Sequence, residues 1–308
     1  MPTPYAPQLW PELNWDAWKD TADTLHMWTQ IVGKTRMTLA PFQNHWWHVP
    51  FYVSARGLTT SAMPWNREAL EIEFDFVSHD LHFRISPGET LSVPLRAQSV
   101  ASFYEEYKRC LALLGVEVPM SPLPCELKDP IPFDKDEVHH SYDPDYAHRF
   151  WRVLNSASCL FEQFKSRFLG KQSPVHFFWG SFDLAVTRFN GHSTQQRANA
   201  DSITREAYSH DVISAGFWPG NGGFGSAAFY CYAAPAPAGL ELEKVLPSGA
   251  NYDTKLGEFI LKYDDVRASR TPDNAVLDFL QSSYDAAAKL AKWDRAALER
   301  PAQNVANV

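Results

Sequence analysis

The chain has 308 residues, 45% of them hydrophobic and 14% aromatic, including 11 Trp, 20 Phe and 12 Tyr. That is enough apolar material for a substantial core, and it excludes a disordered chain, a collagen-like repeat and a disulfide-stapled mini-protein. The 28 Lys and Arg against 36 Asp and Glu give a net charge of −8; with no Lys/Arg-rich stretch to release counterions from a phosphate backbone, nucleic acid is not an expected partner.

The opening Met-Pro-Thr-Pro-Tyr-Ala-Pro lacks the basic and apolar regions of a secretory signal. Cys110, Cys125, Cys159 and Cys231 are widely spaced with no Cys-x-x-Cys, so they read as reduced thiols of a cytoplasmic protein rather than a zinc or dithiol site. The uncharged run from Val212 to Leu240 is broken by Gly216, Pro219, Gly220, Pro235 and Pro237 among others, so no membrane partner is expected.

In chain order, Trp15, Trp18, Ala22, Leu25, Trp28 and Val32 recur at helical steps and predict a helix ending at Gly33. A strand is predicted from His45, with Val49, Phe51 and Val53 on the face of His45 and Trp46, His48, Tyr52 and Arg56 on the other. Arg67-Glu68-Ala69 opens a second strand, and His79-Asp80 reads as a two-residue turn that pairs Asp75 with Arg84. Val100, Phe103, Tyr107, Cys110 and Leu114 then stripe a closing helix, followed by a linker, 119–142, that is Pro-rich and then acidic and His-bearing.

Asp143-Pro144 is an N-cap followed by Pro at N1, and Phe150, Leu154, Ala157, Phe161, Phe164 and Phe168 continue a helix until Gly170. His176-Phe177-Phe178 opens a strand on which Phe177, Trp179, Ser181 and Asp183 share a face. Arg205-Glu206-Ala207 echoes the earlier tripeptide as a strand opening, Pro219 to Gly225 is a glycine-rich turn, and Ala227 to Ala234 a strand. Gly257-Glu258 and Arg267-Ala268 echo Gly88-Glu89 and Arg96-Ala97, and Thr271-Pro272 starts a helix striped by Val276, Phe279, Leu280, Ala287 and Leu290.

The same punctuation in the same order predicts an α+β protein made by tandem duplication of a helix, four-stranded antiparallel sheet, helix unit. Its two pseudo-symmetric lobes would span 11–118 and 143–295, with a loose tail over 296–308. The segments Pro11-Glu12-Leu13, Asn44-His45-Trp46-Trp47-His48-Val49-Pro50, Phe178-Trp179-Gly180-Ser181-Phe182-Asp183 and Ala215-Gly216-Phe217-Trp218-Pro219-Gly220 resemble those of a bacterial family of uncharacterised proteins, from about Leu9 to Trp293. The resemblance implies no activity, cofactor or catalytic residue.

Gly220-Asn221-Gly222-Gly223-Phe224-Gly225 matches G-x-G-x-x-G, but a strand rather than a helix follows it, so no dinucleotide cofactor is expected. Gly33-Lys34-Thr35 has Trp28 where a P-loop needs its first glycine. His45 and His48 would point to opposite faces of a strand, and the His139-His140 segment reads as a solvated linker, so no metal site is expected. No nucleophile signature decides whether the protein is an enzyme.

Three functional readings stand side by side. The first is small-molecule binding in an aromatic-lined pocket of the second repeat or between repeats, walled by Trp179, Asp183, Asp211 and Trp218, with Asn221, His210, Trp46 and His48 as further candidates. Only the second copy carries the glycine loop and the insertion from Gly191 to Thr204, as when one duplicate specialises. The second is acid–base catalysis pairing Asp183 or Asp211 with His48 or His210. The third is an interaction module, including a homo-oligomer, docking through an open aromatic face.

Overall fold

The computed structural model describes residues 9–194 and 200–301. The N-terminal Met-Pro-Thr-Pro-Tyr-Ala-Pro segment, residues 302–308 of the expected tail and residues 195–199 of the insertion lie outside them. Among the described residues the chain is α+β, with two antiparallel sheets of six strands. It divides into two compact units, each discontinuous in sequence: Met1–Ser156 with His176–Asp183 and Pro219–Ser226, and Ala157–Val175 with Leu184–Trp218 and Ala227–Val308.

The first unit is built on helix α1, Trp15–Leu39, which is capped by Asn14 accepting the Asp16 N–H. Every residue from Thr24 to Arg36 is buried, so the helix has no solvent face over that stretch. Its polar residues are therefore bonded inside the unit: Thr35 to Tyr107, Gln30 to the backbone of Cys125 through both amide atoms, and Arg36 to the Thr60 carbonyl. The expected stop at Gly33 is overturned. A Cβ at Gly33 would lie 2.3 Å from the indole of Trp179, so the glycine serves close approach within the helix rather than its end.

The unit's sheet runs β1 (Tyr52–Val53), β2 (Gly57–Thr59), β4 (Glu68–Asp75), β5 (Asp80–Ile85), β6 (Thr90–Pro94), with β3 (Met63–Trp65) also paired to β4. Ile72 and Phe74 of β4 and Leu81 and Phe83 of β5 are buried from alternate positions. Helix α2, Val100–Leu113, capped by Ser99, returns over the core and stacks Phe103 on Trp28 at 4.5 Å. Helix α3 begins at Pro144 and runs to Ser166, with Asp143 accepting the N–H groups of Asp145 and Tyr146, as its Asp-Pro start predicts.

In the second unit β8 (Asp183–Ser193), β9 (His210–Trp218), β10 (Ala228–Ala234), β12 (Glu258–Lys262) and β11 (Asn251–Asp253) are neighbours in that order, while β7 (His176–Phe178) falls in the first unit. The short helices α4 (Ser202–Ala207), α5 (Tyr263–Ala268) and α7 (Arg295–Leu298) accompany the long α6, Pro272–Leu290. The core holds one unusual side chain. Arg188 of β8 is 1% exposed, its guanidinium carbon 3.4 Å from the Phe164 ring centre and 4.3 Å from that of Tyr284. Burial holds its pKa down to about 10, and the aromatic faces supply much of what water would have supplied to the cation.

Several expectations are corrected. The sheets have six strands rather than four, because β1, β2, β3 and β11 are only two or three residues long and leave no alternation to read. His45 and Trp46 do not start a strand: both have positive φ, 58° and 61°, inside a 3₁₀ turn over Asn44–Trp46. Trp179 and Ser181 leave the strand too, in a turn closed by the Phe182 N–H on the Phe178 carbonyl at 2.7 Å, with Phe182 at φ 61°.

Arg205-Glu206-Ala207 lies in α4 rather than a strand, because Asp201 caps Thr204 through both its backbone and its hydroxyl. Asp75 faces Asp80 rather than Arg84. Its Oδ1 accepts the Val77 and Ser78 N–H groups, which widens the turn, and its Oδ2 takes Arg56; Arg84 bonds Glu73 instead. The first residues of the expected loose tail are docked: α7 follows α6, and Glu299 bridges to Phe168.

Candidate functional site

The eight candidate residues divide between the units, with Trp46, His48, Trp179, Asp183 and Asn221 in the first and His210, Asp211 and Trp218 in the second. In the first unit the left-handed pair at His45 and Trp46 folds the chain back so that the Trp46 indole stacks on His48 at 5.3 Å, with Phe42 against both. His48 Nδ1 accepts the Gln43 N–H at 3.3 Å. Burial pushes the His48 pKa below its usual value, helped by the nearby Arg36. No carboxylate partners His48 among the described residues, so the expected His–carboxylate pairing does not form there.

Trp179 is buried, its Nε1 donating to the Val49 carbonyl at 2.8 Å while the ring covers Gly33. The turn after it forms a small polar cluster. Ser181 Oγ donates to Asp183 at 2.5 Å, and Asn221 Nδ2 donates to the Ser181 carbonyl at 2.9 Å. Asn221 stands in the glycine-rich turn, where Gly220, Gly222, Gly223 and Gly225 all have positive φ and the Gly225 N–H closes on the Gly220 carbonyl. The turn joins two strands, and no helix follows to offer its N-terminus to a phosphate.

One His–carboxylate pair within hydrogen-bond reach lies in the linker, at residues outside the expected set. Asp136 is fully buried, its Oδ2 2.6 Å from His139 Nδ1 while Oδ1 accepts the Val138 and His139 N–H groups. The carbonyls of Asp136 and His139 receive the Ala101 and Val100 N–H groups at the start of α2. The pair thus holds a helix terminus that would otherwise carry unsatisfied donors. Among the described residues no group of three or more His, Cys, Asp or Glu side chains is placed to hold a metal ion.

In the second unit Trp218 ends β9 opposite Ala228, half-buried. His210 opens the same strand, its Nδ1 3.1 Å from Ser209 Oγ. Asp211 follows, and two neighbours orient its carboxylate: Thr194 Oγ1 donates to Oδ1 at 2.9 Å and Asn190 Nδ2 to Oδ2 at 3.1 Å. Asp211 borders a cleft of about 580 Å³ whose walls include Thr194, Tyr208, Tyr232, Leu256 and Glu258. The Tyr208 and Tyr232 hydroxyls are 3.0 Å apart, and Tyr232 stacks on Tyr230 at 6.1 Å.

Of the candidates in this unit Asp211 alone lines the cleft. The sequence reading missed the tyrosines, whose signal was Tyr230-x-Tyr232 on one face of a strand, and Asn190 and Thr194, whose roles depend on an irregularity in β8 between Phe189 and Ser193. That bulge re-aims side chains that simple alternation would place elsewhere.

Fold and site together define an α+β protein with a tyrosine-walled cleft bordered by two carboxylates, and among the described residues no helix is long and apolar enough to cross a membrane. The chain belongs to a family of unknown function, DUF5996, whose model matches residues 10–300. No curated protein and no solved structure matches it.

Proposed function

We propose that the protein binds a small molecule in the cleft around Asp211. The observation that carries this reading is a carboxylate already oriented by Thr194 and Asn190 at the wall of a cavity of about 580 Å³. Small-molecule sites typically occupy roughly 300–1,000 Å³ and pair an apolar or aromatic lining with a few fixed polar groups. Preorganisation matters because a carboxylate held by the protein loses no rotamer freedom when a ligand arrives.

The test is an amide NMR screen of the full chain against a mixed library of cationic, anionic and neutral fragments. Shifts clustering on Thr194, Asp211, Tyr232 and Glu258, and lost in Asp211→Ala, are the expected result. A screen in which no fragment moves these signals rejects the reading.

A further inference from the structure

We propose that the ligand of this cleft is an organic ammonium ion carrying a short apolar group, an inference that rests on the binding reading above and adds the chemical class. A carboxylate offers about four acceptor positions, and Thr194 and Asn190 occupy two of those on Asp211. Asp211 is therefore fixed in place yet keeps lone pairs for a further donor. Glu258 is a second carboxylate of the wall, and Arg205, exposed on α4, is the one cation among the described lining residues. An anion would meet two carboxylates there.

The rings favour the same sign of charge. Tyr208 and Tyr232 lie 6.3 Å apart between ring centres at 49°, and the electron-rich face of a phenol attracts a cation and repels an anion.

The apolar part of the ligand follows from a neighbouring cavity. A slot of about 180 Å³ shares Asp211, Ala233, Ala234 and Pro235 with the cleft and is also lined by Val212, Ile213 and Trp293. Asp211 thus borders both spaces, and apart from it the side chains lining the slot are apolar. An ammonium N–H can donate to Asp211 while an attached alkyl group enters the slot. A polyol would leave the slot unfilled and, though its hydroxyls could donate to Asp211, brings no positive charge to the carboxylates.

n-Butylammonium and 1-butanol share shape and differ in charge, and n-butyrate reverses the sign. Each is titrated into the full chain at low salt, where charge effects are least screened, and followed by amide NMR. The expected result is saturable shifts at Thr194, Asp211, Val212 and Tyr232 with n-butylammonium, and binding of 1-butanol at least about 10-fold weaker, the size of one charge-assisted hydrogen bond. Asp211→Asn, nearly isosteric, removes that preference for the ammonium. Glu258→Gln reduces it in the same direction and stands in should the first variant fail to fold. Equal binding of the alcohol, or tighter binding of n-butyrate, overturns the ammonium class while leaving the cleft a binding site. Silence with all three probes also overturns the proposal, and the mixed fragment screen then shows whether the binding reading falls with it.

Discussion

His26 is buried on α1, with its Nε2 donating to the Gly180 carbonyl at 2.8 Å. Burial pushes its pKa down to about 4, against the opposing effect of the hydrogen bonds to Gly180 and Trp179. An unfolded chain takes up this proton near pH 6.5. Between about pH 6.5 and pH 4 the folded state therefore binds fewer protons than the unfolded one, and its stability falls as the pH drops through that window. The full shift corresponds to about 3 kcal/mol. Urea unfolding at pH 7 and pH 4.5 should show a larger loss in the wild type than in His26→Gln, whose amide can still donate to Gly180. Equal losses would exclude His26 as the source. At this scale the sequence was partly readable. Asp211 is a candidate as a residue of the strand that Arg205-Glu206-Ala207 is expected to open; the tripeptide lies in α4, yet Asp211 still falls on a strand, β9, whereas the surroundings of Trp46 and His48 could not be drawn, because two successive left-handed residues turn an apparent strand face into a stacked cluster.

Helix α1 interlocks with the turn at Trp179 through an absent side chain. Gly33→Ala would gain up to about 1 kcal/mol of helix propensity, but its methyl group would meet an indole that is also tied to the Val49 carbonyl. Overpacking of this kind costs about 1–3 kcal/mol, so a net fall in thermal midpoint is expected in calorimetry, and Gly33→Val should fall further. A rise in midpoint for Gly33→Ala would mean that the indole moves aside freely. The long helices were legible because each repeats an apolar stripe over several turns: Val100, Phe103 and Tyr107 of α2 and Val276, Phe279 and Leu280 of α6 are all buried. The shortest strands were not, since two or three residues carry no period. Gly33 was misread because a glycine after an apolar stripe looks the same whether it ends a helix or admits a neighbour.

Neither compact unit is a continuous stretch of chain, and this shapes how the molecule can be divided. The first unit takes Phe177 from far along the sequence to bond Phe51 in both directions, 2.8 and 2.9 Å. It also takes Trp179 for Gly33, Phe182 to stack on His26, and Phe150 for Trp18. A fragment of residues 1–142 keeps the residues that need these partners and loses the partners themselves. It is expected to lack a cooperative unfolding transition by circular dichroism, while the full chain retains one; a sharp transition in the fragment would show that the later segments are dispensable. The interlock at Gly33 also leaves a mark outside this one chain. In this chain positions 33 and 179 share a single volume, so a substitution that adds a side chain at the first calls for a smaller ring at the second, and in an alignment of relatives the two columns are expected to covary despite their distance in sequence.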